Sequence, residues 1–281
     1  MLIATWNVNS VRTRLSQIIN WINQVNPDVL CLQETKVIDE DFPIKPFLDL
    51  GYEVNIFGQK SYNGVAILSK IQAKNLNRGF SDCLKNGLPI KELSDQKRLI
   101  SADINGIKII NVYVPNGSSL NSEKFDYKIN WLNNLAYFID EQEKRGDLIC
   151  LLGDFNIALS DKDIHAPELY KGGIMASEIE RNTLNNVLKG RFIDSFRIYE
   201  KNTGHWSWWD YRNNAYELNK GWRIDHIFLS KSLSYALKSC VIDCNPRGNT
   251  QPSDHAPVMV NLDLDGQNLN YFEDDDDFLE I

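Results

Sequence analysis

A chain of 281 residues, 43% hydrophobic and 24% charged, is long enough to bury a sizeable core and has an ordinary globular composition. No apolar run reaches the length that spans a bilayer, and Met1-Leu2-Ile3-Ala4-Thr5-Trp6 lacks the basic start and apolar centre of a secretory signal, so a place away from membranes is expected, in a bacterial cytoplasm at the nucleoid or, in a eukaryote, in the nucleus; a monomer is expected as well. The net charge of −8 excludes little, because six carboxylates and no Lys or Arg are gathered in Gly266 to Ile281.

Leu2 to Val8 reads as a strand ending in Asn7-Val8-Asn9, and a helix follows over roughly Thr13 to Val25, with Leu15, Ile18, Ile19, Ile22 and Val25 at helical spacing and Asn26-Pro27 as its stop. Asp28 to Gln33 is a second, fully apolar strand that runs into Gln33-Glu34-Thr35-Lys36. Gly51 to Phe57 and Gly64 to Ser69 form a strand pair, with Tyr62 near the tip of the loop between them. Asn75 to Ser94 is rich in Gly, Asn and Lys and reads as an irregular exposed region. Arg98 to Ile104 and Ile107 to Val114 are strands around the hairpin turn Asn105-Gly106.

A long helix is expected from Ser122 to Lys144, with Phe125, Ile129, Leu132, Leu135, Ala136 and Ile139 inward and Gly146 as its stop. The run Leu148 to Leu152 ends in Gly153-Asp154-Phe155-Asn156 and suits a strand buried on both faces. Ser160 to Gly173 reads as a loop, and Ser177 to Leu188 as a helix with Ile179, Leu184, Val187 and Leu188 on one side. Phe192 to Arg197 leads into the aromatic stretch His205 to Arg212; Arg223 to Ser230 and Pro257 to Leu264 are strands. One domain over 1–264 and a disordered acidic tail over 265–281 are expected. The five cysteines are odd in number and form no Cys-x-x-Cys pair, which favours buried thiols over a zinc site or a disulfide frame.

Several strand ends carry oxygen or nitrogen side chains: Asn7 and Asn9, Glu34, Tyr113 with Asn116, Asp154 with Asn156, and Asp254-His255, with Asp225 in a further strand. In extended backbone, residues two apart share a side, so Asn7 with Asn9, and Asp154 with Asn156, are expected to point together. Carboxylates and amides without thiolates favour Mg²⁺, with Mn²⁺ as a substitute, over zinc. Each motif alone is an ordinary turn or cap; their coincidence at strand ends points to a site.

Trp6-Asn7-Val8-Asn9, Leu32 to Lys36, Tyr113 to Asn116, Gly153 to Asn156, Gly221 to Asp225 and Ser253 to Pro257 together resemble the motif set of the exonuclease III family of apurinic/apyrimidinic endonucleases, in order and over nearly the whole chain to about Leu264. The resemblance implies a four-layer α/β sandwich, with two central mixed sheets flanked by helices. It also implies cleavage of the DNA backbone 5′ to an abasic site, with 3′→5′ exonuclease and 3′-phosphatase activity on 3′-blocked ends. By the same resemblance Glu34 is the main metal ligand, with Asn7 and Asp254 beside it and Asp154, Asn156 and His255 around the ion. Asp154 activates the water, Asn156 donates to the transition state, Asp225 orients His255, and Tyr113 donates to developing charge. Tyr62, Arg98, Asn116 and Arg223 are implied to contact DNA, and Trp208, Trp222 and Ile224 to line a pocket for a sugar without its base, whereas Trp206 and Trp209 read as core.

Two other readings are weaker. A phosphoesterase of the same fold acting on a lipid or small molecule has no evident need of the Trp pocket. A non-catalytic DNA-binding relative would not keep a competent residue at every catalytic position.

Overall fold

The computed structural model describes residues 1–80 and 90–264. Cys83 and the acidic stretch 265–281, expected to be disordered, lie outside them.

In chain order the elements are β1 (Leu2–Asn7), α1 (Leu15–Val25), β2 (Val29–Gln33), α2 (Ile44–Asp49), β3 (Glu53–Phe57), β4 (Val65–Ser69), β5 (Lys74–Arg78), α3 (Ile90–Asp95), β6 (Leu99–Ile104), β7 (Ile107–Tyr113), α4 (Glu123–Glu143), β8 (Ile149–Asp154), α5 (Glu178–Leu188), β9 (Phe192–Asp194), α6 (Ser195–Tyr199), β10 (Asp225–Ser230), α7 (Lys231–Ser234), β11 (Leu237–Ile242) and β12 (Val258–Leu262). They build two six-stranded mixed sheets, one ordered β11-β12-β1-β2-β4-β3 and the other β5-β6-β7-β8-β10-β9. In each sheet the central pair, β1 with β2 and β7 with β8, is parallel and the other pairs are antiparallel.

The sheets pack face to face through Ile3, Val29, Cys31, Ile67, Ile100, Ile109, Cys150, Leu152 and Ile227. Trp21 and Ile22 of α1 cover the outer face of the first sheet, over Trp6 and Leu32. Trp131 and Leu135 of α4, with Leu184 of α5, cover the second, over Ile110 and Leu151. These are the four expected layers. No helix among the described residues is long and apolar enough to cross a membrane. Cys31, Cys150, Cys240 and Cys244 are free thiols, the first three buried.

Local signals explain most boundaries. Asn26 takes a left-handed conformation and returns its N–H to Ile22 O, closing α1. Ser122 caps α4 by accepting from Phe125 N, and Ser177 with Glu180 forms a capping box on α5. Gly153, at φ 141°, is required because a Cβ there would lie 1.9 Å from Val112 O.

Three expectations need correction, and one strand, β11, was not anticipated. The segment from Asn75 to Ser94 is not irregular throughout: β5 pairs with β6 as an edge strand, where a polar Lys-Asn-Leu-Asn-Arg sequence is tolerated because one side faces solvent. The loop Ser160 to Gly173 contains 3₁₀ turns at Asp161–Asp163 and Pro167–Leu169. β11 escapes the sequence pattern because a register shift between Leu237 and Ser239 breaks its alternation. Ile179 is 58% exposed; the inward row of α5 is Glu180, Leu184 and Val187, because Glu180 pairs with the buried Lys128 of α4.

Candidate active site

β1, β2, β7 and β8 end at one edge of the sandwich, and β10 begins there because it runs antiparallel to β8. The turn that precedes β12 brings Asp254 and His255 to the same edge, beside the end of β1. Asn7, Glu34 and His255 thus come from one sheet, and Tyr113, Asp154 and Asp225 from the other.

The expected side-by-side arrangement of residues two apart does not hold. Asn9 and Asn156 are both left-handed, at φ 44° and 51°. Each backbone N–H turns back onto the side chain two residues earlier: Asn9 N donates to Asn7 Oδ1 at 3.0 Å, and Asn156 N to Asp154 Oδ1 at 2.9 Å. These Asx turns leave Asn7 and Asp154 facing inward and swing the later residues aside. Glu34 and Lys36 are also left-handed, at φ 51° and 57°, a costly conformation for such residues that the surrounding structure enforces.

Asn7 Nδ2 donates to both Glu34 Oε1 at 2.9 Å and Asp154 Oδ2 at 3.0 Å, joining carboxylates from the two sheets. Glu34, Asp154 and His255 each offer a ligand atom, and these atoms lie within 4.8 Å of one another. His255 Nε2 is 3.8 Å from Asp154 Oδ2, and its Nδ1 is 2.9 Å from Asp225 Oδ2. Asp225 Oδ2 also accepts from Ser207 Oγ at 2.6 Å, whereas its buried Oδ1 has no partner.

Burial, with the nearby Asp225 charge, pushes the Asp154 carboxyl up to about 7, against the opposing pull of His255 and Asn7. Burial disfavours a charged His255, but the Asp225 and Asp154 carboxylates outweigh it and push the imidazole up to about 10. Burial, then the Glu34 charge, hold the Tyr113 phenol well above its ordinary value, in its donor form.

The other expected residues divide clearly. Asp254 does not join the three-residue group: Asn9 Nδ2 and Trp208 Nε1 occupy its two oxygens at 2.9 and 3.0 Å. Asn156 lies beside the group and is held from both ends, accepting from Asn116 Nδ2 at 3.0 Å and donating to Val114 O at 3.0 Å. Arg98 lies over the Tyr113 ring at 4.6 Å. Tyr62 is 70% exposed, and its loop is tied to the Glu34 turn by Lys36 N donating to Asn63 O and Ser61 N to Lys36 O.

Trp222 and Ile224 cluster with Ile164 and Met175, and Trp208 packs against them; Trp206 and Trp209 belong to a separate core cluster with Ala256. Arg223, expected to contact DNA, does not reach the surface. It is 1% exposed, and its guanidinium is consumed by Asp163 at 2.6 Å and Asp194 at 2.7 Å.

Sequence reasoning missed three residues that shape the site. Lys36 bridges Glu34 at 2.8 Å, and Ser207 fixes Asp225. Lys128 Nζ donates to the backbone oxygens of Asn156 at 2.8 Å and Asn116 at 3.2 Å, while pairing with Glu180. A lysine in the apolar row Phe125, Leu132, Leu135 was the available signal for Lys128; nothing in the sequence marked Ser207.

The donor set fits a hard divalent cation. Glu34 and Asp154 converge with no thiolate beside them, and their charge is offset by Lys36, 2.8 Å from Glu34, and by the His255 imidazolium, 3.8 Å from Asp154. With a raised imidazolium and a neutral phenol beside them, the groups suit an anionic, tetrahedral substrate such as a phosphodiester.

Residues 4–255 match the endonuclease/exonuclease/phosphatase family. The chain is 34% identical to exodeoxyribonuclease III of Haemophilus influenzae, over 92% of this chain and 99% of that one. A 3′ phosphatase from Neisseria, solved with a product DNA hairpin, shares 38% identity and superposes with a TM-score of 0.88, covering 94% and 99% of the two chains. An AP endonuclease from Archaeoglobus fulgidus shares 36% identity at a TM-score of 0.87, covering 94% and 100%.

Proposed function

The chain belongs to the endonuclease/exonuclease/phosphatase family, in its exodeoxyribonuclease III branch, and from that premise we propose a DNA-repair phosphodiesterase that cuts duplex DNA 5′ to abasic sites and trims blocked 3′ ends. The observation that carries this reading is the convergence of Glu34, Asp154 and His255 from two sheets, with Asp225 behind the histidine.

Glu34 and Asp154, with the Asn7 amide at hand, are the residues to hold Mg²⁺, which when bound would offset charge on the phosphate. Asp154 takes the proton of the attacking water; burial raises its carboxyl toward neutrality, the range a general base needs. His255, kept cationic by Asp225, meets the phosphate oxygens. Asn156 has one amide hydrogen left after its bond to Val114 O and directs it at the developing charge. Tyr113 supplies a second neutral donor. Arg98, Asn116 and Tyr62 surround this edge as the backbone contacts. The Trp208–Trp222–Ile224 cluster selects by shape, admitting a bare deoxyribose and rejecting a full nucleotide.

A second reading, in which 3′-end processing outweighs incision, is favoured by the Neisseria relative's description as a 3′ phosphatase. One experiment separates them. Duplexes bearing an internal abasic analogue, a 3′-phosphate or a recessed intact 3′ end are incubated with Mg²⁺ or with EDTA. Metal-dependent nicking 5′ to the lesion supports the first reading, and removal of 3′ groups without nicking supports the second. A folded protein inert on all three contradicts both.

A further inference from the structure

The inner face of the sandwich changes character in layers. Successive inward residues read Ile3, Thr5, Asn7 on β1; Val29, Cys31, Gln33 on β2; Ile107, Ile109, Asn111, Tyr113 on β7; and Cys150, Leu152, Asp154 on β8. The lower layers are apolar and the last carries the site. Beneath the site side chains lies a buried polar group of Thr5, Gln33 and Asn111, each 0% exposed, with Gln33 level with Asn7 and Thr5 level with Cys31 in the strand register.

Gln33 Nε2 donates to Thr5 Oγ1 at 2.8 Å in its own sheet and to Asn111 Oδ1 at 2.7 Å in the other. Asn111 Nδ2 crosses back to Leu32 O at 3.0 Å and Ala66 O at 2.9 Å. Burying two amides between sheets is costly, and Gln33 Oε1 is left without a partner, so the group is a poor choice for stability alone. Apolar contacts between sheets have no preferred direction and tolerate sliding, whereas these bonds fix both spacing and register.

We propose that Thr5, Gln33 and Asn111 are positioning residues that lock the two sheets in the register at which Asn7 and Glu34 of one meet Asp154 of the other. Gln33 precedes Glu34, Thr5 lies one inward step below Asn7, and Asn111 lies one step below Tyr113. None can touch DNA or a cation, because all three are sealed beneath the site. The inference rests on the assignment of Asn7, Glu34 and Asp154 to one centre.

The test replaces both amides with apolar side chains of similar shape, Gln33→Met with Asn111→Leu, so that neither amide leaves the other unpaired. Three quantities are compared with the unaltered protein: kcat and KM on abasic duplex, Mn²⁺ affinity by calorimetry, and the low-field proton resonance of His255 Nδ1, whose bond to Asp225 also crosses the sheets. The expected result is an unfolding temperature at or above that of the unaltered protein, with kcat and Mn²⁺ affinity each lower by about tenfold or more, an unchanged KM, and a shifted or exchange-broadened resonance. A folded double variant with all three quantities unchanged overturns the proposal. Should the double variant not fold, Thr5→Val removes one bond of the clamp and is expected to lower kcat and Mn²⁺ affinity about threefold and to move the resonance; no change in any of them overturns the proposal equally. If the unaltered protein proves inert on DNA, the functional reading fails, and the resonance still decides the clamp.

Discussion

Two buried ionic clusters lie on either side of Ile224, one built on Arg223 and the other on Asp225, and they are finished differently. In the first, the guanidinium of Arg223 spans Asp163 and Asp194, and Arg197 adds a second cation to Asp163. Burial works against the Asp163 carboxylate, yet Arg223 overcomes it and holds the group down to about 2. His226, buried beside the same guanidinium, is pushed down to about 4 and stays neutral. In the second cluster three carboxylates face one imidazole and Lys36, Asp154 is pushed up, and Asp225 Oδ1 is unpartnered. Adjacent residues of one segment therefore serve opposite ends. A saturated network holds the chain in place, and an unsaturated one keeps a demand that a cation and a phosphate can meet.

Asp154→Asn opens the second cluster and carries the largest expected effect. Turnover on abasic duplex is expected to fall by about 10³-fold or more, with DNA affinity within a few-fold and no loss of thermal stability, because the change relieves buried charge. Near-normal turnover would remove Asp154 from the chemistry. The mirror change is Arg223→Met, which strands Asp163 and Asp194. Chemical denaturation is expected to show a loss of about 3–5 kcal/mol. If stability were kept and DNA affinity fell instead, Arg223 would belong to the DNA face after all.

The closed cluster also predicts a pH profile. His226 has a depressed affinity for protons in the folded state, so between about pH 6.5 and about pH 4 the unfolded chain takes up a proton that the native one refuses. Stability should decline across that window as pH falls, by up to about 3 kcal/mol from this group, and His226→Gln should flatten the decline. Asp163 acts lower: its contribution is complete above the ordinary carboxylate range and is lost as pH drops toward 2. Denaturant titrations from pH 7 to pH 3 on both proteins read this directly. The smallest effect is on selectivity. Trp208→Ala should lower the preference for abasic over intact duplex by about tenfold, because a wider slot no longer excludes a base. An unchanged ratio would separate the aromatic cluster from substrate choice.

The strands and long helices were legible because burial on both faces leaves continuous apolar runs, as at Val29 to Leu32 and Leu148 to Leu152, and burial on one face leaves a helical stripe, as at Ile18, Trp21 and Ile22. The site residues were legible as polar interruptions at the ends of those runs. Side-chain direction was not. Asn9 and Asn156 are turned aside by Asx turns, an outcome that strand alternation misses. Arg223 looked like a DNA contact because it sits inside a functional motif, and its partners Asp163 and Asp194 are distant in sequence. Ile179 looked inward because the sequence offers no reason to bury Glu180 until Lys128 faces it.

Local apolar patterning decides where each strand stops and what chemistry its last residue carries, so the residues available at the strand ends could be read from the chain alone. That Asn7 and Glu34 of one sheet meet Asp154 of the other, and that Asp225 meets His255 across the same gap, follows from the folded chain and not from any one strand. Such pairings depend on the packing of two sheets against each other, and residues as far apart as Gln33 and Asn111 hold that packing through side-chain bonds that no local pattern encodes.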